Sequence, residues 1–328
     1  LIHRQRWFAM FIPERFGGLG WTLPKVLRME EALSWADGST GWVVTLCGGA
    51  GWFSGFLPPE LLKEILSVDR LCIAGSGAVT GIANSTPAGY EITGSWKYAS
   101  GSLHATAFTA NCFIRKDGES LYNDDRSEMV GAFLFRRGEV TLHRHWESLG
   151  MVATASHSFE VQALTVPEAR RFTIDGKHSV LQDAVFKYPF LQLAETTLSI
   201  NLSGMAMRFL DLCGPIFEER MKRRNIGVKG PQLQELLVKA TEEMDRYRHD
   251  FYSYADLSWE KCAGGDALSR QVWDQVSKAS YSLAHNALRI VDGLYPFCGL
   301  MAADTREEIN RVWRNIHTAS QHALFTMR

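Results

Sequence analysis

Hydrophobic and polar positions divide the chain into three stretches that differ in periodicity. In the first stretch, residues 1–68, apolar positions recur at helical spacing, and LPKVLRMEEALSWA places Val26, Met29 and Leu33 on one helical face. The next segment, up to Leu57, is rich in small and apolar residues, and PPELLKEIL then opens with prolines, as the start of a short helix often does. This stretch predicts a set of helices.

In the second stretch, from about residue 70 to residue 180, the period falls toward two. Short β-branched or aromatic runs, each bounded by Gly, Pro, Asp or Asn, follow one another: LCIAGSGA, GYEITGSWKYASG, ATAFTANCFIR, MVGAFLFRRG, VTLHRHW and SFEVQALTVP. A series of strands without helices between them predicts an antiparallel sandwich or barrel.

The third stretch, after Asp183, returns to helical periodicity. It contains four long segments, which begin near Tyr188, Pro231, Ala267 and Arg311. Four successive helices with short connections predict an up-and-down bundle. The expected fold is therefore multidomain α+β, with an N-terminal helical domain (1–68), a central antiparallel β domain (69–182) and a C-terminal four-helix bundle (183–328).

The last predicted helix, RVWRNIHTASQHALF, has an unusual polar face. At roughly 100° per residue, one side of it carries four polar residues: Arg311, Asn315, Thr318 and His322. His317 points well away from them. Hydrogen-bonding groups along an apolar helix indicate the edge of a polar pocket, and the alternative is a solvated face.

Composition narrows the function classes. The 328 residues are 46% hydrophobic and 22% charged with a net charge of −1, so no basic excess indicates nucleic acid or an anionic membrane. No apolar run is long enough to cross a bilayer. Six dispersed cysteines without a CxxC spacing indicate reduced thiols in a cytoplasmic protein and no metal site. Because the chain opens with Leu1, we expect a segment to be missing before it.

Five segments combine Gly, Trp, Ser and His in distinctive spacings. In chain order they are IPERFGGLG, ADGSTGWV, ITGSWKYASGSLHA, HWESLGMVATASHSFEVQALTVP and RVWRNIHTASQH. Together they resemble the acyl-CoA dehydrogenase superfamily over essentially the whole chain. They look most like its flavin-dependent monooxygenase branch, which contains the oxygenase components of two-component aromatic hydroxylases. In the last segment, Asn315 stands where that branch usually has Asp.

The resemblance implies an enzyme that uses a reduced flavin, FMN or FAD, which exchanges with a separate flavin reductase. Oxygen would add at flavin C4a, and one oxygen atom would then pass from the C4a-hydroperoxyflavin to a small aromatic or cyclic substrate. The resemblance also implies a homotetramer. Relatives on this fold oxidise several kinds of substrate, so the substrate class stays open.

The resemblance assigns flavin contacts to six residues: Trp96, Ser100, Gly101, Trp146, Thr154 and Ser156. Ser100 would lie near flavin N5, and glycine after it, at a predicted strand end, would let a planar ring approach the backbone. Thr154 and Ser156 alternate on a predicted strand and so should face the same side. The alternatives are a capped β-turn at Ser100 and a hydroxyl ladder on a solvated face.

His322 is the expected acid–base residue, oriented by Asn315. His104 and Thr318 are candidate substrate contacts, although a histidine just after a turn is as well explained as a local hydrogen-bond partner. Three further histidines show no metal-like spacing and are interpreted as local structural groups: His143, His145 and His157.

Two other function classes stay open. An acyl-CoA dehydrogenase needs a carboxylate base, and Glu195, on the first bundle helix, is the plausible candidate, although we interpret it as an exposed helix residue. A non-catalytic binding protein on the same fold is the second alternative. One departure from the hydroxylase pattern is the absence of a histidine near Ala50.

Overall fold

The computed structural model describes residues 1–222 and 230–326. Its α-helices are α1 (Ile2–Gln5), α2 (Leu23–Ala36), α3 (Gly38–Trp52), α4 (Pro59–Leu66), α5 (Phe190–Lys222), α6 (Gly230–Gly264), α7 (Arg270–Leu294), α8 (Glu308–Ala319) and α9 (Ala323–Thr326). Its strands are β1 (Ile73–Thr86), β2 (Gly89–Ala99), β3 (Ala107–Lys116), β4 (Glu119–Ser120), β5 (Val130–Arg136), β6 (Thr141–His143), β7 (His157–Val166) and β8 (Arg171–Phe172). The predicted order of helices, strands and helices is confirmed.

The eight strands form one sheet in the order β6-β7-β2-β1-β3-β5-β8, with β4 beside β3. The expected all-antiparallel arrangement is wrong at one pair, because β1 and β3 run parallel. Strand β2 turns back along one edge of β1, and the chain then crosses to the other edge of β1 before β3 begins. The loop 100–106 makes this crossover.

By spatial proximity the chain forms two compact units. The first contains residues 1–22, 43–147 and 154–190, and the second contains 23–42, 148–153 and the described part of 191–328. The division into three consecutive domains stays a prediction, as does the up-and-down bundle, although α6 packs against α7 in the second unit.

The core of the first unit lies on the sheet and is rich in aromatic residues. Trp96 stacks on Phe159 with ring centroids 5.2 Å apart, and Phe108 packs on the same Phe159 ring at 4.8 Å. The buried indole N–H of Trp96 donates to the Asn111 carbonyl oxygen at 3.0 Å, which satisfies its polar atom. Apolar burial on this scale is the main stabilising term of the unit.

In the second unit, the buried face of α2 differs from the predicted one. Val26 is buried, but Met29 and Leu33 are only half-buried, whereas Glu30 and Glu31 are buried. Hydrophobic spacing alone therefore predicted the wrong buried face for α2.

Glu31 is stabilised in the second unit by an ion pair. Its carboxylate accepts two bonds from Arg248, at 2.8 and 2.9 Å, and others from the hydroxyls of Ser203 (2.5 Å) and Tyr252 (2.9 Å). Burial alone would raise the pKa of Glu31, but these donors lower the pKa below its ordinary value. The carboxylate therefore stays charged and joins α2 to α5 and α6.

The predicted last helix is wrong in its second half. Helix α8 ends at Ala319, a turn follows, and the short helix α9 begins at Ala323. The Ser320 hydroxyl donates to the His317 carbonyl oxygen at 2.9 Å, and the His322 N–H bonds only three residues back. Serine side chains that bond the backbone compete with helix continuation, which accounts for the break.

None of the six cysteines forms a disulfide, and all except Cys262 are buried. Within the part of the chain that the structure describes, no helix is both long and apolar enough to cross a membrane. Among the same residues, no group of three or more His, Cys, Asp or Glu side chains could hold a metal ion.

Two glycines of α3 offer a matched test of packing in the first unit. A Cβ at Gly51 would lie 2.7 Å from the Phe8 carbonyl oxygen, whereas a Cβ at Gly49 would meet nothing within 4 Å. We expect Gly51→Ala to lower the free energy of unfolding by about 1–3 kcal/mol. Gly49→Ala should raise it by about 0.5–1 kcal/mol, because alanine favours the helix. Urea denaturation measures both, and equal effects would contradict the packing argument.

Candidate functional site

Three buried hydroxyls form a chain in the first unit. The Ser156 Oγ lies 2.8 Å from the Ser100 Oγ and 2.7 Å from the Thr154 Oγ1. All three side chains are at most 5% exposed. A row of three sequestered hydroxyls can donate and accept hydrogen bonds where water is excluded.

Backbone bonds hold the two loops that carry these hydroxyls. The Gly101 N–H donates to the Thr154 carbonyl oxygen at 2.9 Å, and the Ser102 hydroxyl donates to the Ala155 carbonyl oxygen at 2.8 Å. Tyr98 (φ 67°) and Ala155 (φ 46°) both adopt the left-handed backbone region, which non-glycine residues seldom occupy. Such conformations persist where surrounding contacts fix them, and they occur often at functional sites.

The sequence predicted Thr154 and Ser156 on one strand, and this prediction is wrong. Residues Val152–Thr154 form a 3₁₀ turn, and β7 begins only at His157. Their hydroxyls meet because the left-handed Ala155 turns the chain between them. The predicted proximity of the two side chains is therefore present, but through a turn and not through strand alternation.

Gly101 is required for a different reason from the expected one. Its φ is +74°, and a Cβ there would lie 2.6 Å from the Cys47 Sγ and 3.3 Å from a Val43 methyl. The glycine therefore lets α3 approach the loop closely. The approach of a planar ring to the Gly101 backbone stays a prediction.

The two candidate tryptophans lie in different surroundings. Trp96 is fully buried in the sheet core and offers no ring surface to a ligand, so its expected flavin contact is replaced by a packing role. Trp146 is half-buried, and its ring meets the exposed Tyr98 ring edge-on, with centroids 6.0 Å apart. Of the two, Trp146 is the one placed at a surface.

The histidines of the first unit act locally. His104 is exposed, and its backbone N–H donates to the Gly101 carbonyl oxygen at 2.9 Å, within the loop. His143 bonds Glu160 at 2.8 Å, and His145 bonds the Ser158 hydroxyl at 3.0 Å. These contacts agree with the local interpretation of His143 and His145, and they leave the substrate role of His104 a prediction.

In the second unit, two polar residues of α8 bind the backbone of the segment 148–153. The Asn315 Oδ1 accepts from the Met151 N–H at 2.7 Å, and the Thr318 Oγ1 accepts from the Gly150 N–H at 2.8 Å. The contact is tight, because a Cβ at Gly150 would lie 2.1 Å from the Arg314 carbonyl oxygen. These bonds give Asn315 and Thr318 structural partners.

The expected polar stripe of α8 is therefore a set of structural contacts. Arg311 forms an ion pair with Asp37, so it is engaged as well. The expected orientation of His322 by Asn315 is wrong, because the Asn315 oxygen is directed to a backbone N–H and His322 lies beyond the end of the helix. For Thr318, the hydroxyl that was expected to bind substrate already accepts one bond and donates another, to the Arg314 carbonyl oxygen.

His322 lies in the turn between α8 and α9. Its ring meets Trp42 edge-on at 6.0 Å, and its Nδ1 accepts from the Leu324 N–H at 3.3 Å. Because Nδ1 is an acceptor, the neutral imidazole carries its proton on Nε2. Burial lowers the pKa of His322 below its ordinary value, so the ring is neutral near pH 7.

Known proteins match this chain over almost its full length. Residues 197–327 match the family described as acyl-CoA dehydrogenase, C-terminal domain. The indole-3-acetate monooxygenase of Pseudomonas putida is 28% identical over 326 residues, which cover 96% of this chain and 80% of that protein. The flavin-dependent monooxygenase oxygenase subunit HsaA of Mycobacterium tuberculosis is 23% identical, with 96% of this chain and 81% of the relative covered.

Solved structures agree on the fold. The HsaA monooxygenase from M. tuberculosis superposes with a TM-score of 0.89 at 21% identity, over 99% of this chain and 84% of that one. The whole chain therefore has the fold of this monooxygenase, and its C-terminal part matches the acyl-CoA dehydrogenase family model. The matched relatives are monooxygenases, so the predicted flavin-dependent monooxygenase branch is confirmed.

Two of the solved neighbours hold a flavin, FADH2 in one and FMN in the other, and the donor set of the first unit of this chain fits such a ring. The polar edge of an isoalloxazine ring presents both donors and acceptors, and the hydroxyls of Ser100, Ser156 and Thr154 can serve as either. The half-buried Trp146 adds an aromatic surface in the same unit. Sequence reasoning found each of these residues, but nothing in the spacing indicated that the three hydroxyls form one chain.

Two positions concern the choice between a dehydrogenase and a hydroxylase. Glu195 was expected to be exposed, but it is only 4% exposed and lies on the buried face of α5. The prediction of an exposed side chain at Glu195 is therefore wrong. Near Ala50, where the resemblance led us to look for a histidine, α3 contains none, and Ala50 itself is buried.

The role of Asn315 can be tested by stability. Asn315→Ala removes the acceptor of the buried Met151 N–H, so the free energy of unfolding should fall by about 1–3 kcal/mol. His317→Ala removes a bond to the half-exposed Asp292 and should cost less than about 1 kcal/mol. Equal losses in urea denaturation would mean that the Asn315 contact carries no special weight.

Proposed function

We propose that the chain is the oxygenase component of a two-component flavin-dependent monooxygenase. It receives a reduced flavin from a separate reductase and transfers one atom of O2 to a small aromatic or cyclic substrate, while the other atom leaves as water. The flavin exchanges with the reductase in every turnover, so it binds reversibly.

The buried hydroxyl chain is the observation that carries this proposal. Ser100, Ser156 and Thr154 place three orientable O–H groups in a protected position on two fixed loops. Preorganised donors of this kind stabilise charge without reorganising during the reaction. The similarity to monooxygenases identifies a flavin as the group that these donors would hold.

The bound reduced flavin supplies the two electrons that activate O2. On the protein side, we assign Ser100 to flavin N5 and Thr154 and Ser156 to the support of its hydroxyl. Trp146 packs at the ring, and the exposed His104 is assigned to the substrate. These side chains bind, orient and exclude water, and none of them needs to change its covalent state.

His322 is assigned to acid–base chemistry. Its Nδ1 is held by the Leu324 N–H, so the Nε2–H is the group that can donate to a reacting oxygen or to the substrate. Burial keeps the ring neutral near pH 7, so its Nε2–H is a neutral hydrogen-bond donor before the reaction begins. Asn315 is assigned no catalytic role, because its side chain binds backbone.

The relatives suggest where to begin with ligands and assembly. They are named for indole-3-acetate and for resorcinol, and both are aromatic rings with polar groups. Solved neighbours carry FADH2 in one case and FMN with indole in another, so both flavins are candidates here. We also propose a homotetramer, supported by exposed apolar side chains such as Leu300 and Met301, and a cytoplasmic location, supported by the free buried thiols.

The central test uses the protein with a flavin reductase, NADH, FMN or FAD, and ¹⁸O2. With indole-3-acetate and resorcinol as first substrates, we expect a product that contains one ¹⁸O atom per molecule. Added catalase should not reduce the yield, because the oxygen is transferred within the protein and not through released peroxide. If no aromatic substrate is oxygenated and an acyl thioester is oxidised with an artificial electron acceptor, the dehydrogenase alternative is correct and Glu195 becomes its candidate base.

His322 and His317 form a matched pair for the acid–base assignment. His322→Ala should lower product formation by about 10²–10⁴-fold, the usual worth of a positioned acid–base group, with flavin affinity changed only a few-fold. His317→Ala should leave the rate nearly unchanged, because His317 bonds Asp292 at the surface. If the two variants behave alike, His322 is a packing residue.

The pH profile gives a second test of His322. A lowered pKa means that the ring stays neutral down to a pH below about 6.5. The transfer rate should therefore be constant above that value and fall on the acid side, where protonation breaks the bond from Leu324. His322→Ala should remove this acid limb, and an unchanged profile would contradict the assignment.

A further inference from the structure

We propose that Tyr98 is a flavin-contact residue whose phenol ring forms, together with Trp146, an aromatic corner that receives the flavin ring. The inference rests on the proposed function, since Trp146 is assigned there to pack at the flavin. It adds a residue that neither the spacing nor the resemblance singled out, and it gives a reason for a backbone conformation that the fold alone does not explain.

A β-bulge turns the side chain of Tyr98 out of the sheet core. Between the paired residues Trp96 and Ala99, β2 has two residues, whereas its partner strand β7 has only one at this place. Trp96 and Ala99 both face the core and are fully buried. Without the extra residue, strict alternation would direct Tyr98, and not Ala99, to the same side as Trp96. The bulge therefore redirects the Tyr98 ring, as bulges beside active sites often do.

The backbone of Tyr98 is in an unfavourable conformation. Its φ of 67° lies in the left-handed region, which glycine occupies readily and bulky residues seldom occupy. Within the part of the chain that the structure describes, Tyr98 is the only aromatic residue with a positive φ. Packing does not compensate for this, because Tyr98 is 66% exposed. Glycine would suit the fold better here, so the Tyr98 ring serves something other than the stability of the chain.

The rings of Tyr98 and Trp146 form the two walls of a corner. Their centroids are 6.0 Å apart, and their planes meet at 75°. A planar ring that stacks on one wall presents its edge to the other, and both arrangements are favourable between aromatic rings. Trp146 is half-buried and Tyr98 is exposed, so the corner opens to the surface of the first unit. Such a corner suits a flavin that enters and leaves in every turnover.

Backbone bonds fix both walls of the corner to the segments that carry the buried hydroxyls. The Ser100 N–H donates to the Tyr98 carbonyl oxygen at 3.0 Å, which closes a tight turn between the ring and the Ser100 hydroxyl. The backbone N–H of Trp146 donates to the His157 Nδ1 at 3.1 Å, and His157 directly follows Ser156. The corner and the hydroxyls can therefore serve one ligand with a planar ring and a polar edge.

The experiment measures the dissociation constants of reduced FMN and reduced riboflavin by anaerobic equilibrium dialysis. In Tyr98→Ala, we expect both constants to rise about tenfold, which corresponds to the loss of one aromatic contact. Riboflavin has the same ring without the phosphate, so equal factors for the two ligands locate the contact at the ring. Tyr98→Phe keeps the aromatic ring and should bind both flavins within about twofold of the wild type.

Tyr122 provides a matched control in the same unit. At 60% it is nearly as exposed as Tyr98, but it is not among the residues with a left-handed φ. It lies in a hairpin, where it pairs with Glu128. Tyr122→Ala should therefore leave the dissociation constants of both flavins unchanged.

Urea denaturation of the flavin-free variants tests the strain separately. At position 98, glycine should give a higher midpoint than alanine, because only glycine relieves the left-handed backbone. At position 122 the order should reverse, since glycine there adds only chain entropy to the unfolded state. Tyr98→Gly should thus be more stable than Tyr98→Ala and still bind flavin as weakly. Partial unfolding cannot produce that combination.

Three results would overturn these expectations. Unchanged flavin affinity in Tyr98→Ala and Tyr98→Gly, with a wild-type protein that binds FMN, would refute the aromatic corner and leave the proposed function standing. A loss confined to FMN would refute it as well, because the contact would then be to the phosphate. A wild-type protein that binds neither flavin would refute the proposed function and this inference together.

Discussion

Buried polar groups have to be hydrogen-bonded, and this constraint decides how each unit of the protein is built. In the second unit, α2 directs Glu31 toward α5 and α6. The Glu31 carboxylate can be buried there because Arg248 pairs with it. In the first unit the same constraint explains why the hydroxyls of Ser100, Ser156 and Thr154 lie together, since each provides a partner for the next. The same groups that satisfy burial are the ones available for chemistry.

Elements with a strong local signal could be predicted from the sequence. Helix α2 begins and ends at the predicted residues, and the strands appear in the predicted stretch, because spacing and turn residues are local properties. The parallel pairing of β1 with β3 depends on which edge the returning strand takes, and no local pattern encodes that choice. At the break after Ala319 one serine hydroxyl bonds the backbone, a local contact that does not appear in a periodicity.

The candidate site also contains features that could be predicted from the sequence and features that could not. Ser100, Thr154 and Ser156 could be identified by resemblance, and the structure adds that they are joined in one chain, which depends on the left-handed turn at Ala155. Trp96 could not be recognised as a core residue, because a tryptophan near a strand end fits a ligand contact as well as a core. Asn315 was misjudged because helical angles show which way a side chain points but not which backbone group it meets.

The position of His322 in a turn has a consequence for motion. A side chain in the middle of a helix is carried by a rigid ladder of bonds, and displacing it means unwinding a full helical turn. The backbone of His322 is tied by one bond back to the Ala319 carbonyl oxygen and one forward to the Phe325 N–H. Repositioning this imidazole therefore disturbs those two bonds, the bond from the Leu324 N–H and the ring contacts with Trp42 and Phe325, but it leaves the bonds of α8 to the segment 148–153 in place.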